Sequence, residues 1–295
     1  MSELVQSLVR GLGNGSVYAL LAFGFVIIFK SMGVISFAQP AFMLAGAVIV
    51  TYLVTGMNFF VAVLVAAVLV ALLGMGVERA VLRPMIGKPV FVISIITLGV
   101  DVVIRVVVNA YIGLDVRPLH DPWQLDTVNL FGTEVQERYL AMFITTMVLV
   151  AILFVFFRYS RMGLAMRAAA FDQEVALAQG VSVGSVFSLS WAIAGALAAV
   201  AGVFVSTGAG VDQQLWIIAL KALPVIILGG LDSLGGAVVA GLIVGVIESL
   251  VGTYGSGIAP WLGGEFALVT PYLVMMIVLM VRPYGLFGTR EVVRI

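Results

Sequence analysis

Residues 158–183 read RYSRMGLAMRAAAFDQEVALAQGVSV, and they interrupt a chain that is otherwise mostly hydrocarbon. The stretch holds Arg158, Arg161 and Arg167, one Asp172, one Glu174 and an alanine-rich pattern that favours helix. Apolar runs at about 139–157 and 186–206 flank it, each near the ~20 residues a helix needs to cross a bilayer. Connections between such runs are expected to be short. A polar, helix-prone connection of this length points to a docking element for another protein, and so to one subunit of a larger machine.

Composition supports a membrane setting. The 295 residues are 62% hydrophobic and 10% charged, with a mean hydropathy of +1.20. A soluble domain carries about 25% charge, so a chain this poor in charge has the bilayer as its main solvent. Its formal net charge is zero, which removes any bulk electrostatic argument for nucleic acid. There is no Cys and a single His, His120, so thiolate chemistry is excluded and a His-built metal centre is not expected. The opening MSELVQSLVRGLGNGS lacks a short apolar core ending at a small-residue cleavage site, and so reads as part of a retained span.

The predicted spans are roughly 11–29, 38–56, 59–77, 90–112, 139–157, 186–206 and 266–282. Residues 215–252 are less regular. Their first half is short, holds Lys221 and Pro224, and ends at Gly229-Gly230. The fold class is an all-α polytopic membrane bundle of about 7–9 segments with broken or re-entrant helices, one transmembrane domain over 1–295. Either 215–252 crosses twice, for nine spans, or it dips in as a hairpin beside seven.

Ten cations fall on one side of this layout: Lys30, Arg79, Arg83, Lys88, Arg158, Arg161, Arg167, Arg282, Arg290 and Arg294. Arg10, Arg117 and Arg138 fall on the other, while Arg105 and Lys221 lie within apolar segments. The positive-inside bias makes the first side cytoplasmic, with the N-terminus outside and the C-terminus inside. The largest external loop is then 113–138, which carries five acidic residues and Trp123 and reads as an acidic lid or a landing surface. Gly195, Ala199 and Gly202, and Ala237, Gly241 and Gly245, recur at helical spacing and read as close helix packing.

No GxxxxGK[ST] loop and no HExxH occurs, so the chain is not expected to hydrolyse nucleotide or peptide itself. Asp101 and Arg105 lie i, i+4 on one predicted helix and are expected to pair there. Lys221 is expected to snorkel or pair, and Glu248 to be solvated or paired. Two polar breaks look different. Ser36-Phe37-Ala38-Gln39-Pro40 places Pro40 in the first turn of a helix, where its missing N–H costs nothing, and lets Ser36 and Gln39 face a cavity. Gly229–Gly236, with Asp232 and Ser233, enters a small-residue helix. Irregular backbone at membrane depth survives only beside protein or water, and a break in each half points to a transport path.

Within 158–183, Glu174, Ala176 and Gly180 form E-x-A-x-x-x-G, with Gly180 a plausible helix stop. This spacing resembles the coupling loop of ABC importer permeases. The wider resemblance is to their branched-chain amino acid (Liv-type) family and covers nearly the whole chain. It rests on NGSVYAL at 14–20, VISFA at 34–38, Glu78-Arg79, Arg83-Pro84, RYSRMG at 158–163, Arg167-Ala168, LGGL at 228–231, Gly236-Ala237 and RPYGLFG at 282–288. The order and spacing of these pieces carry the match.

The resemblance implies an inner-membrane permease that forms a translocation path with a second, homologous permease. It also implies two cytoplasmic subunits that bind ATP and Mg, and an extracytoplasmic substrate-binding protein. This chain would bind no cofactor. Path residues would include Asn14, Ser16, Tyr18, Ser36, Gln39, Pro40, Thr97, Asp232 and Ser233. Arg161, Gly163, Arg167, Asp172, Glu174, Ala176 and Gly180 would couple to the ATPases, in a loop of about 158–185. Where the family has Asn-Phe-Ala-His-Gly, this chain has Ser36–Pro40, which leaves urea, short amides or other small polar solutes as alternatives to amino acids. An ion-coupled secondary transporter using Asp101 or Glu248 is a competing class. A membrane-embedded enzyme would need a clustered acid, His or metal set that the sequence does not show.

Overall fold

A computed structural model describes residues 2–113, 115–130, 132–258 and 266–288. Arg290 and Arg294 of the charge count lie outside the described residues. The helices are α1 (Ser2–Met32), α2 (Gln39–Leu53), α3 (Phe59–Val77), α4 (Val90–Ile112), α5 (Glu137–Tyr159), α6 (Arg161–Phe171), α7 (Gln173–Ala178), α8 (Val183–Ser206), α9 (Trp216–Leu220), α10 (Ala222–Gly229), α11 (Leu234–Ile258) and α12 (Phe266–Val281). A π-helical turn (Glu78–Leu82) and a 3₁₀ turn (Arg83–Met85) extend α3. Among the described residues six helices are long and apolar enough to cross a membrane, and three shorter apolar helices span 39–53, 216–229 and 266–281.

Burial sorts these helices into a centre and a shell. The apolar window of α1 is 83% buried and that of α8 is 72%, against 17% for α4 and 22% each for α3 and α5. The peripheral helices are also the more apolar. That inversion of the water-soluble pattern is expected where lipid is the solvent and apolar surface gains nothing by hiding. The central contacts rest on small residues. A Cβ on Gly15 would stand 2.7 Å from the carbonyl oxygen of Gly241, and one on Gly241 would stand 2.6 Å from the backbone nitrogen of Ala19. The predicted Gly241 and Gly245 stripe therefore brings α11 against α1, antiparallel and nearly backbone to backbone. Gly195 and Gly202 of α8 do the same against Val70 of α3 and Met43 of α2.

Two ends of the bundle can be told apart. At one end lie α6 and α7, the last turn of α1 and the turn at 230–233: Lys30 Nζ donates to the carbonyl of Asp232 at 2.8 Å. The segment after α12 joins them, with Leu286 N–H donating to Leu228 and Phe287 N–H to Gly229. At the opposite end Arg138 Nη1 donates to the carbonyl of Thr207 at 2.7 Å, and Arg117 and Val211 form an antiparallel bridge. The irregular segment 216–258 thus connects both ends, its first arm shorter than its second.

The loop 113–138 is not wholly irregular, as an all-helical reading would have it. Strands β1 (Thr127–Leu130) and β2 (Thr133–Gln136) pair antiparallel with Leu130 opposite Thr133, so two residues make the turn. Gly132 has φ +79°, the left-handed backbone such a turn needs. Trp123 pins the loop to the bundle, its ring 5.6 Å from Phe59 and 5.9 Å from Phe204.

Candidate functional site

Three polar features are built into the apolar scaffold. The first is a cavity of ≈ 260 Å³ near the Arg138 end, lined by Asn14, Tyr18, Arg138, Tyr139, Lys221 and Glu248 among others. Glu248 of α11 meets Lys221, the residue between α9 and α10, at 2.5 Å. Its second oxygen accepts from the Tyr18 hydroxyl of α1 at 2.7 Å. The two charged side chains are only 11% and 13% exposed, so the expectation of pairing at Lys221 and Glu248 is met inside the bundle. One acid thereby ties three segments together. Asn14 and Tyr18 reach this cavity, whereas Ser16 turns back to the carbonyl of Leu12 at 2.6 Å.

The second feature is the break before α2. Gly33 reverses the chain with φ +69°, and residues 34–38 fold back along the bundle. Phe37 N–H donates to Thr97 Oγ1 at 2.9 Å, so α4 supplies an acceptor to a backbone donor that the start of α2 would otherwise leave unmet. Asp101 lies one turn further along the same face of α4, with its Oδ1 buried and without a hydrogen-bond partner among the described residues. Pro40 stands in the first turn of α2, as read from the sequence. Thr97 lies seven residues into α4, and the Gln39 amide nitrogen packs beside Gly24, eight residues before the end of α1. At 1.5 Å per residue the break sits about 10–12 Å inside the bundle. Ser36 and Gln39 are fully buried, and neither the nitrogen nor the oxygen of the Gln39 amide has a hydrogen-bond partner. Asp101 also pairs with Arg105 at 2.7 Å, and the guanidinium lies 4.0 Å over the ring of Trp216 at the start of α9.

Asp232 and Ser233 lie apart from both features. Ser233 Oγ accepts from Gly236 N–H at 3.0 Å and caps α11, while the main chain of Asp232 receives Lys30. The two sequence breaks are therefore at different depths: Ser36–Pro40 lies within the bundle, and 230–233 at its α6–α7 end.

The third feature is an elbow formed by α6 and α7. Ser160 caps α6 by accepting from Gly163 N–H at 2.8 Å. Gly163 lies so close to the carbonyls of Phe156 and Phe157 that a side chain would collide with them. Arg167 donates to the Phe157 carbonyl. Asp172 ends α6 in extended backbone and caps α7 through the N–H groups of Glu174 and Val175, at 2.9 and 3.0 Å. Gly180, φ +81°, closes α7, and Val181 N–H then returns to the Ala176 carbonyl. Ala176 is buried, while Arg161 and Glu174 are exposed. Gln173 Nε2 fastens the elbow to the Ser31 carbonyl of α1 at 3.1 Å. The outer edge is apolar: Phe171 is 94% exposed, and Leu164, Val175 and Leu177 are exposed beside it.

A fourth cluster was missed as a site by sequence reasoning. Glu78 is fully buried and takes both Arg83 Nε and Arg83 Nη2 at 3.2 Å. Arg83 also donates to the Gly184 carbonyl and to Ser188 Oγ, each at 3.0 Å, and Ser188 donates to Glu78. This network clamps the end of α3 to the start of α8, directly after the elbow.

Residues 7–280 match the family model described as branched-chain amino acid transport system / permease component. The chain belongs to this family. Among its relatives, the high-affinity branched-chain amino acid transport system permease protein LivH of Escherichia coli strain K12 is 29% identical, over 99% of this chain and 97% of its own length. BraD of Pseudomonas aeruginosa, a permease protein of the same description, is 27% identical over 99% of this chain and 98% of its own. FruF of Bifidobacterium longum, described as a fructose import permease protein, is 23% identical over 85% of this chain and 72% of its own. The solved structure of PsaBC from Streptococcus pneumoniae in complex with Fab shares the fold, with a TM-score of 0.55, 14% identity and coverage of 96% of this chain and 93% of that one. A member of this family is a transport permease subunit. Among the described residues Asp101, Glu248 and Glu78 are each paired with a cation.

Proposed function

We propose that this chain is the permease subunit of an ATP-driven importer of branched-chain or related amino acids, in the inner membrane. The α6–α7 end faces the cytoplasm, the N-terminus lies outside and the C-terminus inside. The chain forms the translocation path with a second, homologous permease and receives solute from an extracytoplasmic binding protein on the side of the 113–138 loop. Two cytoplasmic subunits bind and hydrolyse ATP with Mg. This chain holds no nucleotide.

The observation that carries the reading is the elbow. A short helix pair with its apolar edge turned away from the bundle has no partner for that edge among the described residues, and Phe171 at 94% exposure is costly to leave in water. An ATPase groove would cover it. Arg161, Gly163, Arg167, Asp172, Glu174, Ala176 and Gly180 then build the elbow, and few of them touch the partner. Gly163 and Ala176 set how closely it seats, Asp172 and Gly180 fix its two bends, and Arg167 and Gln173 transmit its movement to α5 and α1. The path residues are Asn14 and Tyr18 at the outer cavity and Ser36, Gln39, Pro40 and Thr97 at the inner break. Ser16, Asp232 and Ser233 support the helices beside them.

The test is uptake and ATP hydrolysis by the purified complex with loaded binding protein. Gly180→Arg forces a side chain onto backbone at φ +81° and straightens the end of α7. Stimulated hydrolysis and uptake are expected to fall at least tenfold while the chain remains folded. Retention of both at the level of the unaltered complex would sink the coupling role.

A further inference from the structure

A cavity of ≈ 240 Å³ lies beneath α6, between α1, α5 and α11. Ile27, Phe154, Phe157 and Met166 make its walls apolar, and Lys30, Arg158 and Arg167 stand around it. Lys30 and Arg167 are oriented by main-chain carbonyls, of Asp232 and Phe157. Arg158 and Arg167 are exposed and form no carboxylate ion pair among the described residues. Just beside the cavity α5 turns apolar outward, with Ile152 and Val155 each 57% exposed. An apolar slot, a ring of cations and an adjoining lipid-facing helix together suit one amphipathic ligand that carries an acyl chain and a negative headgroup.

We propose that this cavity binds one anionic glycerophospholipid. Its phosphodiester sits among Lys30, Arg158 and Arg167, the first part of an acyl chain enters between Phe154 and Phe157, and the rest lies along Ile152 and Val155. The inference rests on the proposed placement of the α6–α7 end at the cytoplasmic leaflet, where basic pockets between helices meet anionic headgroups. It assigns the cavity a role apart from transport of solute: a bound lipid braces the coupling elbow against α1, α5 and α11.

The experiment is native mass spectrometry of the full chain, purified in detergent and stripped of lipid. Phosphatidylglycerol, phosphatidylcholine or inorganic phosphate is then added. One phosphatidylglycerol per chain is expected to be retained at concentrations where phosphatidylcholine is lost, and millimolar inorganic phosphate is expected not to displace it. One exposed cation near a membrane surface contributes about 1 kcal/mol, so Arg158→Gln should weaken retention about fivefold. Because Arg158 is on the surface this variant keeps the fold. Ala170→Phe, which narrows the slot without touching charge, should weaken retention as well. Equal retention of both lipids, loss of phosphatidylglycerol to inorganic phosphate, or unaltered retention in both variants would overturn the proposal. Lipid retention is read without uptake or ATP hydrolysis, so its failure is separate from failure of the transport reading.

Discussion

Replacing Lys221 with Met probes the junction of α1, α10 and α11. The substitution keeps the length and apolar stem of the side chain and removes only the charge. Glu248 would lose its partner at 2.5 Å and keep the Tyr18 hydroxyl at 2.7 Å. Removing one member of a buried pair costs about 3–5 kcal/mol, because the other is left as an uncompensated charge. The adjoining ≈ 260 Å³ cavity can admit water to the carboxylate, which places the cost near the lower figure, about 3 kcal/mol. For a domain of this size each kcal/mol moves the unfolding midpoint by about 2–4 °C, so a fall of about 6–12 °C is expected. Tyr18→Phe strips one hydrogen bond to a charged group and should cost about 1.5–3 kcal/mol. The double variant Lys221→Met, Glu248→Leu removes both charges together and should recover most of the loss. The assay is thermal unfolding of the reconstituted chain across this set, as a double-mutant cycle. If the double variant were no more stable than Lys221→Met, the pair would not be the source of the cost and the reasoning would fail.

Three other substitutions test other links. Gln39→Leu removes a fully buried amide with neither polar atom partnered. Each orphan costs about 1–3 kcal/mol, so the midpoint should rise by several degrees in this conformation, and a fall would show that the amide is satisfied. Gly241→Val drives a side chain into the backbone of Ala19. Overpacking of about 1–3 kcal/mol or more is expected, seen as lost folded yield in detergent, whereas the same change at Gly99, which faces open space, should be near neutral. Phe171→Asp should leave the stability within about 0.5 kcal/mol of the unaltered chain yet reduce co-purification of the ATP-binding subunits. Unchanged co-purification would separate the apolar edge of the elbow from docking.

What could be read from the sequence follows from the range of the forces involved. Bilayer crossing is set by composition over about 20 consecutive residues, so spans such as 90–112 and 186–206 could be placed without knowing any neighbour. Part of the elbow was legible for a similar reason: its alanine-rich helical pattern and its stop at Gly180, at positive φ, are local. The caps by Ser160 and Asp172, and the bend between α6 and α7, came from the structure. Asp101 and Arg105 could be paired in advance because four residues is one helical turn. Glu78 and Arg83 could not. Five residues is the wrong spacing for an α-helix, and only the π turn at Glu78–Leu82 turns both toward Ser188. Lys221, Glu248 and Tyr18 come from three segments far apart in the sequence, and Glu248 meets Tyr18 where Gly15 and Gly241 let α1 and α11 approach closely.

The break at Ser36–Pro40 shows the same division at a single place. Its existence was local, carried by Pro40 and the polar residues before it. Its depth was not, because depth depends on which turn of α4 it meets. Thr97 answers Phe37, so that backbone donor of the break is met about 10 Å inside the bundle. The side chain of Gln39, carried to the same depth, is not met. An amide with both polar atoms unpartnered, at this level of an apolar bundle, costs about 1–3 kcal/mol per atom in this conformation. A residue uncovered when a transport path switches access would shed that cost, and the Gln39→Leu comparison reads its size.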